Sequence, residues 1–287
     1  MGHLRWERRP ELRRPIVVVA FEGWNDAGDA ATLAVGYLAQ TWGAERFATI
    51  DPEEFYDFTT TRPQVKLVDG ATRSVEWPEV ELLSAAVPGA ERDVILVRGI
   101  EPQLRWRTFC AQIVEALRAF EVERIVILGA LLADVPHTRP VRVTGNSDDA
   151  GVASSPGVSP STYEGPTGIV GILHHALATA GLPAVSFWAA VPHYVHQVPS
   201  PKAALALLER SAGVLGARID PLDLRIAADE YVRQVSERVA DDDDAAAYVA
   251  QLEEADDSEP LASGPPVDPA RLADEVEQYL RQHPGET

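Results

Sequence analysis

Apolar positions in the first two-thirds of the chain gather into four short, nearly unbroken runs: Ile16 to Phe21, Val94 to Val97, Ile125 to Leu128 with an extension to Leu132, and Ala184 to Val191. They are rich in β-branched residues and show no alternation with polar ones. That pattern suits strands covered on both faces. The first, second and fourth lead through a loop into helical patterns at 27–41, 106–120 and 202–216; the third reaches its helix, 166–180, through a long irregular stretch. A repeated strand, loop and helix predicts a parallel sheet with helices on its faces.

Between the first two runs, Phe47 to Ile50 reads as a further strand. Val65-Lys-Leu-Val and Ser74-Val-Glu-Trp flank Asp69-Gly70, the composition of a hairpin. Residues 145–165 are crowded with Gly, Ser, Asp and Pro and are expected to be a loop too long for a mere connector. From Leu224 to about Glu254 the positions Val232, Val235, Val239, Ala246 and Val249 keep near-heptad spacing, which predicts a long helix or helical hairpin interrupted at Asp241 to Asp244. A stripe of Val232, Val235, Val239, Val249 and Leu252 is expected to pack onto the α/β domain or a second subunit. Asp256 to Val267 is expected to be a linker, and Asp268-Pro269 to start a terminal helix with the stripe Leu272, Val276, Tyr279 and Leu280. The expected division is therefore an α/β domain over 1–221 and an acidic helical extension over 222–287.

Charge reinforces that division. The net charge is −19, and residues 220 to 287, with 19 acidic and five basic side chains, carry −14 of it. So acidic a chain lacks the clustered cations that nucleic acid requires. No apolar run approaches the ~20 residues of a membrane helix, and the arginine-rich start lacks the apolar segment of a signal peptide, so neither membrane nor nucleic acid is expected as a partner, and a cytoplasmic location is expected. The single cysteine, Cys110, excludes an intramolecular disulfide and falls in an amphipathic helical pattern, where a buried, inert thiol is expected.

Ligands of open parallel sheets bind beyond the carboxyl ends of the strands. The four loops there are Glu22 to Gly28, Arg98 to Trp106, Leu132 to Pro140 and Pro192 to Lys202. They supply the candidates Asn25, Asp26, Glu101, His137, Arg139, His193 and Lys202. Asn25 and Lys202 stand out because the chain has only two asparagines and two lysines, although a helix cap and a solvated helix start would explain them equally. Gly165-Pro-Thr-Gly168 adds Glu164 and Thr167 beside a helix start whose N–H groups could meet an anion, or could simply begin a helix. No Walker A loop, dinucleotide fingerprint, nucleophile elbow or zinc motif is present, so no metal or cofactor is expected and the catalytic residues stay unassigned. Ser200, near His193 and His196, remains an open nucleophile candidate, while His174 and His175 read as packed or solvated helix residues.

The segments Phe21-Glu-Gly-Trp-Asn-Asp-Ala-Gly28, Arg98-Gly-Ile-Glu-Pro102, Gly129 to Pro140, Tyr163-Glu-Gly-Pro-Thr-Gly168 and Trp188 to Lys202 together resemble the bacterial branch of the proteasome assembly chaperone 2 family. The resemblance implies an α/β/α fold similar to phosphorylases and hydrolases, homo-oligomerisation, and partners among proteasome-related proteins. It brings no catalytic residue set. Some proteasome-binding relatives use a hydrophobic-Tyr-x tail, whereas this chain ends His-Pro-Gly-Glu-Thr, so that docking mode is not expected here. Two functions follow: a noncatalytic homo-oligomeric protein-binding factor, or a small-molecule binder or hydrolase-like or phosphorylase-like enzyme acting on an anionic or nucleoside-like ligand at the strand ends. The absence of a reaction motif weighs against an enzyme.

Overall fold

The computed structural model describes residues 2–68, 72–147, 158–161, 163–216 and 219–258. The expected terminal helix after Asp268 lies outside these residues, as do the middle of the 145–165 stretch and the tip of the Asp69-Gly70 turn. In chain order the strands are β1 (Leu4–Trp6), β2 (Ile16–Glu22), β3 (Glu45–Ile50), β4 (Gln64–Val68), β5 (Thr72–Glu76), β6 (Val80–Ala86), β7 (Asp93–Ile100), β8 (Arg124–Ala133), β9 (Val143–Asn146), β10 (Val158–Ser159) and β11 (Ala184–Pro192). The helices are α1 (Ala30–Thr41), α2 (Trp106–Arg118), α3 (Ile169–Thr179), α4 (Pro201–Leu215), α5 (Leu222–Ala240) and α6 (Asp243–Ser258).

Nine strands form one sheet in the order β1-β3-β6-β7-β2-β8-β11-β9-β10, and β4 and β5 form a separate hairpin. The four apolar runs become the parallel centre, β7, β2, β8 and β11. Antiparallel pairings extend it on both sides, through β6, β3 and β1 on one and through β9 on the other. The sheet is thus mixed, with its parallel part where both faces are covered. β6 is a strand that periodicity does not announce: Val80-Glu-Leu-Leu-Ser-Ala-Ala has no strict alternation, and it becomes a strand by pairing over its whole length with β7.

Alternate residues of each central strand serve opposite cores. Val17, Val19 and Phe21 of β2, with Ile125 and Ile127 of β8, pack under α2 and α3. Val18 and Ala20, with Val126, Leu128 and Ala130, pack under α1 and α4. An unbroken apolar run follows directly from this, since neither parity of side chain meets water. Cys110 of α2 is buried in the first core, and burial pushes its thiol up to about 12, which matches the inert role expected of it.

The predicted helical hairpin is α5 and α6. Leu224, Ala228, Tyr231 and Val235 of α5 and Val249 and Leu252 of α6 are buried, Val232 and Val239 partly so. They pack within the same chain, α5 lying along α4. The interruption is a turn at Asp241 and Asp242, with Asp243 and Asp244 opening α6 and all four side chains exposed. Its second member does more than stay solvated: Asp242 accepts from the N–H groups of Asp244 (3.0 Å) and Ala245 (3.1 Å), capping α6. The expected linker begins later than its composition suggests, because Asp256 and Asp257 belong to α6 and pair with arginines of the α/β part.

The junction of β6 and β7 depends on Gly99. A Cβ at this position would lie 2.5 Å from the Glu79 carbonyl oxygen and 2.8 Å from Val80 Cα, both backbone atoms that cannot rotate away. Gly99→Ala is expected to destabilise the fold by roughly 1–3 kcal/mol in chemical denaturation. An unchanged midpoint would mean that the β6–β7 ladder accommodates the methyl group.

Candidate functional site

The loops at the carboxyl ends of β2 and β7 are tied to each other and to the start of α3 through one carboxylate. Asn25, 1% exposed, follows β2; its carbonyl accepts from the Ala130 N–H at 2.8 Å, which pins the loop to β8. Its side-chain Nδ2 donates to Glu101 Oε1 at 2.8 Å, and the same oxygen accepts the first N–H of α3, that of Ile169, at 2.9 Å. The Glu101 N–H in turn donates to the Glu22 carbonyl at 2.9 Å. Three segments therefore converge on Glu101. A negative charge at the positive end of α3 is favourable there. It also fills the position that an anionic ligand would take, so the helix start read as a possible anion site is already occupied by the chain itself.

Gly168, the residue before α3, completes this contact. A Cβ on Gly168 would lie 2.3 Å from Asn25 Oδ1, so only glycine allows the asparagine to close over the helix start. Asn25 Oδ1 is buried without a hydrogen-bond partner. Thr167 and Glu164, the other candidates of this segment, are exposed; the Thr167 hydroxyl folds toward Gly171 in the first turn of α3.

Asp26, adjacent in sequence, turns the other way and caps α1. Its carboxylate accepts from the Ala31 N–H at 2.6 Å, from the Thr32 N–H at 3.3 Å and from the Thr32 hydroxyl. Burial raises its pKa from an ordinary 3.8 to about 6, against the opposing pull of those hydrogen bonds.

The candidates after β8 and β11 form a second group, beneath α5 and α6. The His137 ring stands between Tyr194 and Ser236, with Nδ1 2.8 Å from the tyrosine hydroxyl and Nε2 3.0 Å from the serine of α5. The Tyr194 oxygen also accepts the His137 backbone N–H at 2.8 Å, so one hydroxyl contacts both the backbone and the ring of His137. Burial, helped by Lys202, lowers the His137 pKa against the opposing influence of Glu253. Lys202 donates to the carbonyls of His137 and Arg139, the latter at 2.6 Å, and lashes that loop to the start of α4; burial lowers its pKa. Arg139 pairs with Asp257 at 2.6 Å. His193 Nδ1 lies 3.0 Å from an Asp134 carboxylate oxygen but is not aligned for a hydrogen bond. Ser200 is 2% exposed and caps α4 by accepting from the Ala203 N–H, so its hydroxyl has a structural use.

The nine candidates thus separate by contact. Asn25 and Glu101 touch one another; Asp26 serves α1; His137, Arg139, Lys202 and His193 share the loops under α5 and α6; Glu164 and Thr167 stand in solvent. Only a small cavity, about 10 Å³ and of the order of one water, remains beside His137, Arg139, Ser200, Lys202 and Tyr231. Sequence reasoning overlooked Thr32, Tyr194, Ser236 and the acidic residues of α6 that complete these contacts. A matched pair of arginines, Arg139 and Arg142, was the available signal for a distant acidic helix. Among the described residues no group of three or more His, Cys, Asp or Glu side chains is placed to hold a metal ion.

Residues 20–239 match the model of the PAC2 family. The chain belongs to the PAC2 family. The resemblance carried by its loop segments is thereby confirmed. Similar solved structures include a PAC2 family protein from Streptomyces avermitilis, 49% identical with a TM-score of 0.77, and a proteasome-assembly chaperone homologue from Mycobacterium tuberculosis, 48% identical with a TM-score of 0.75. Each alignment covers 82% of this chain and 99% of the other. An archaeal proteasome activator from Pyrococcus furiosus is similar over 84% of this chain and 100% of its own with a TM-score of 0.66; at 20% identity this likeness shows the fold alone. No curated protein matches the chain.

Two outcomes test the PAC2 site as described. Asp26, with its pKa raised on folding, binds its proton more tightly in the native state, so its contribution to stability is present at low pH and is lost as pH rises from about 4 through about 6. Asp26→Asn is expected to remove a fall of roughly 3 kcal/mol over that window, read as the difference between the two proteins' urea stabilities; parallel pH profiles would contradict the assignment. Glu101→Ala would leave the Asn25 amide and the Ile169 N–H without their acceptor and is expected to cost about 1–3 kcal/mol, whereas a surface carboxylate would cost almost nothing in the same thermal melts.

Proposed function

We propose that this PAC2 chain is a noncatalytic, homo-oligomeric protein-binding factor whose partners are proteasome-related proteins. The observation that carries this reading is the distribution of exposed apolar side chains. Among the described residues nine large apolar side chains are exposed; Trp24, Leu33, Val65, Leu67, Val75, Trp77 and Leu104 belong to loops, a hairpin or a helix start at the carboxyl end of the central strands, and the other two, Leu222 and Ile226, lie on the first turns of α5. Large apolar groups gathered at one end of a molecule mark interaction surfaces. In the β4–β5 hairpin, Val65 stands opposite Val75, with Leu67 two residues along the same face. A two-stranded ribbon of this kind is marginally stable by itself, and a partner on its apolar face would stabilise it. The polar candidates beneath this surface support the same reading, since most are engaged in holding loops together rather than presented to a ligand. The names of the related structures, chaperone homologue and activator, point to proteasomal partners. A cytoplasmic setting belongs to this reading; among the described residues, no helix is long and apolar enough to cross a membrane.

One observation favours the alternative of a small-molecule site at the strand ends. A cleft of about 900 Å³ opens between the hairpin and the sheet, lined by residues including Glu22, Arg98, Glu81 and Trp77. Its charges are largely paired with one another, Arg98 with Glu81 at 3.0 Å and Lys66 with Glu76 at 2.6 Å, which leaves little to select a ligand.

Affinity capture with the wild-type chain is expected to recover proteasome subunits, and sedimentation is expected to show more than one copy. Trp24→Glu with Leu104→Glu should abolish that recovery while the melting temperature stays within a few degrees. Recovery of no proteasome subunit, or equal recovery by the double variant, would defeat the reading.

A further inference from the structure

We propose that the groove under α6 is a receptor site for an acidic amphipathic helix of a partner protein, and that α6 is its resident intramolecular occupant. This goes beyond the protein-binding reading above and does not depend on it, because it concerns a different surface. α6 lies in the groove by one face only. Val249 and Leu252 are buried, Tyr248 packs edge-on against His193 and Tyr194 with ring centroids 5.6 and 6.1 Å apart, and Glu253, Asp256 and Asp257 meet Thr138, Arg142 and Arg139. The spacing of these residues, Tyr-Val-x-x-Leu-Glu-x-x-Asp-Asp, is that of a helix laid into a groove by its i, i+3, i+4 and i+7 side chains. The receiving loops carry Arg139, Arg142, His193 and Tyr194, with the Asp134 carboxylate beside His193 and accepting from the Tyr248 hydroxyl at 3.3 Å, and α5 borders α6 on the other side. These loops complement acidic helices as a class, and α6 is one such helix.

The hold on α6 is also weaker than the hold on its neighbour. α5 buries four residues, Leu224, Ala228, Tyr231 and Val235, and lies along α4, whereas α6 buries two. Of its two ionic anchors, Arg139 with Asp257 sits at the rim, 36% and 62% exposed and open to screening by salt, while Arg142 with Asp256 is more sheltered, 29% and 18% exposed. α6 joins α5 through the exposed Asp241-Asp242 turn, which gives the connection no apolar anchor of its own. An element held by two ion pairs and two buried apolar side chains can be exchanged for another of the same pattern.

The test uses the full chain and a fluorescein-labelled peptide of residues 243–258. Glu253→Ala, Asp256→Ala and Asp257→Ala together loosen α6, and this triple variant is expected to bind the peptide at least tenfold more tightly than the wild-type chain. Adding Arg139→Ala and Arg142→Ala should abolish the gain, 0.5 M NaCl should weaken it at least tenfold, and a scrambled peptide of equal composition should not bind. Equal binding to wild type and triple variant, or equal binding of the scrambled peptide, would overturn the proposal. So would concentration-dependent dimerisation of the wild-type chain that the peptide abolishes, since the groove would then belong to a second copy. Hydrogen exchange on the unmodified protein gives an independent arm: the amides of α6 should exchange at least tenfold faster than those of α5, and equal protection would show α6 to be a fixed part of the fold.

Discussion

Four parallel strands whose side chains are apolar on both faces leave the chain no freedom about where its helices go. Each face must be covered, and the right-handed return from the end of one strand to the start of the next supplies a helix to do so. α1 and α4 shield Val18, Val126 and their neighbours, while α2 and α3 shield Val17, Val19 and Ile127. Every loop that leaves a central strand for its helix emerges at one end of the sheet. The chemistry of that end, and the helices laid over it, follow from this.

What the loops do with their polar groups is unlike an open ligand site. Glu101 gathers the Asn25 amide and the first N–H of α3 on a single oxygen, Asp26 spends its carboxylate on α1, and the Lys202 ammonium is shared between two carbonyls. Buried polar groups satisfied in this way fix loop shape, and a fixed loop presents a reproducible outer surface. The inner polar network and the outer apolar side chains are two aspects of one arrangement: Asn25 is 1% exposed, and its neighbour Trp24 is 58% exposed.

The central strands and four of the helices were legible in the sequence because burial on both faces writes itself as unbroken apolar runs, and helix starts announce themselves, as Ser200-Pro201 does for α4. The bend between α5 and α6 was legible in its aspartates. β6 was not, since its strand character comes from pairing with β7, and β1, β9 and β10 are too short to carry a period. At the strand ends, sequence identified the right loops but not their partnerships. Asn25 and Glu101 are separated by 76 positions, Arg139 and Asp257 by 118, and nothing local to either residue reports the other. The extent of α6 was misjudged for the same reason: Asp256 and Asp257 have the composition of a linker until the arginines they meet are known.

The sole thiol of this chain is sealed within the core beneath α2, with its ionisation pushed far above neutrality. Thiolate is the species that reacts with maleimides and iodoacetamides, so the native chain is expected to react with them very slowly. A cysteine introduced on the β4–β5 hairpin or on α6 would then be the one reactive position in the molecule. Spin labels or fluorophores placed there would report on either surface without first removing a native residue, and without disturbing the packing around Phe109 and Ile113 that a replacement at Cys110 would risk.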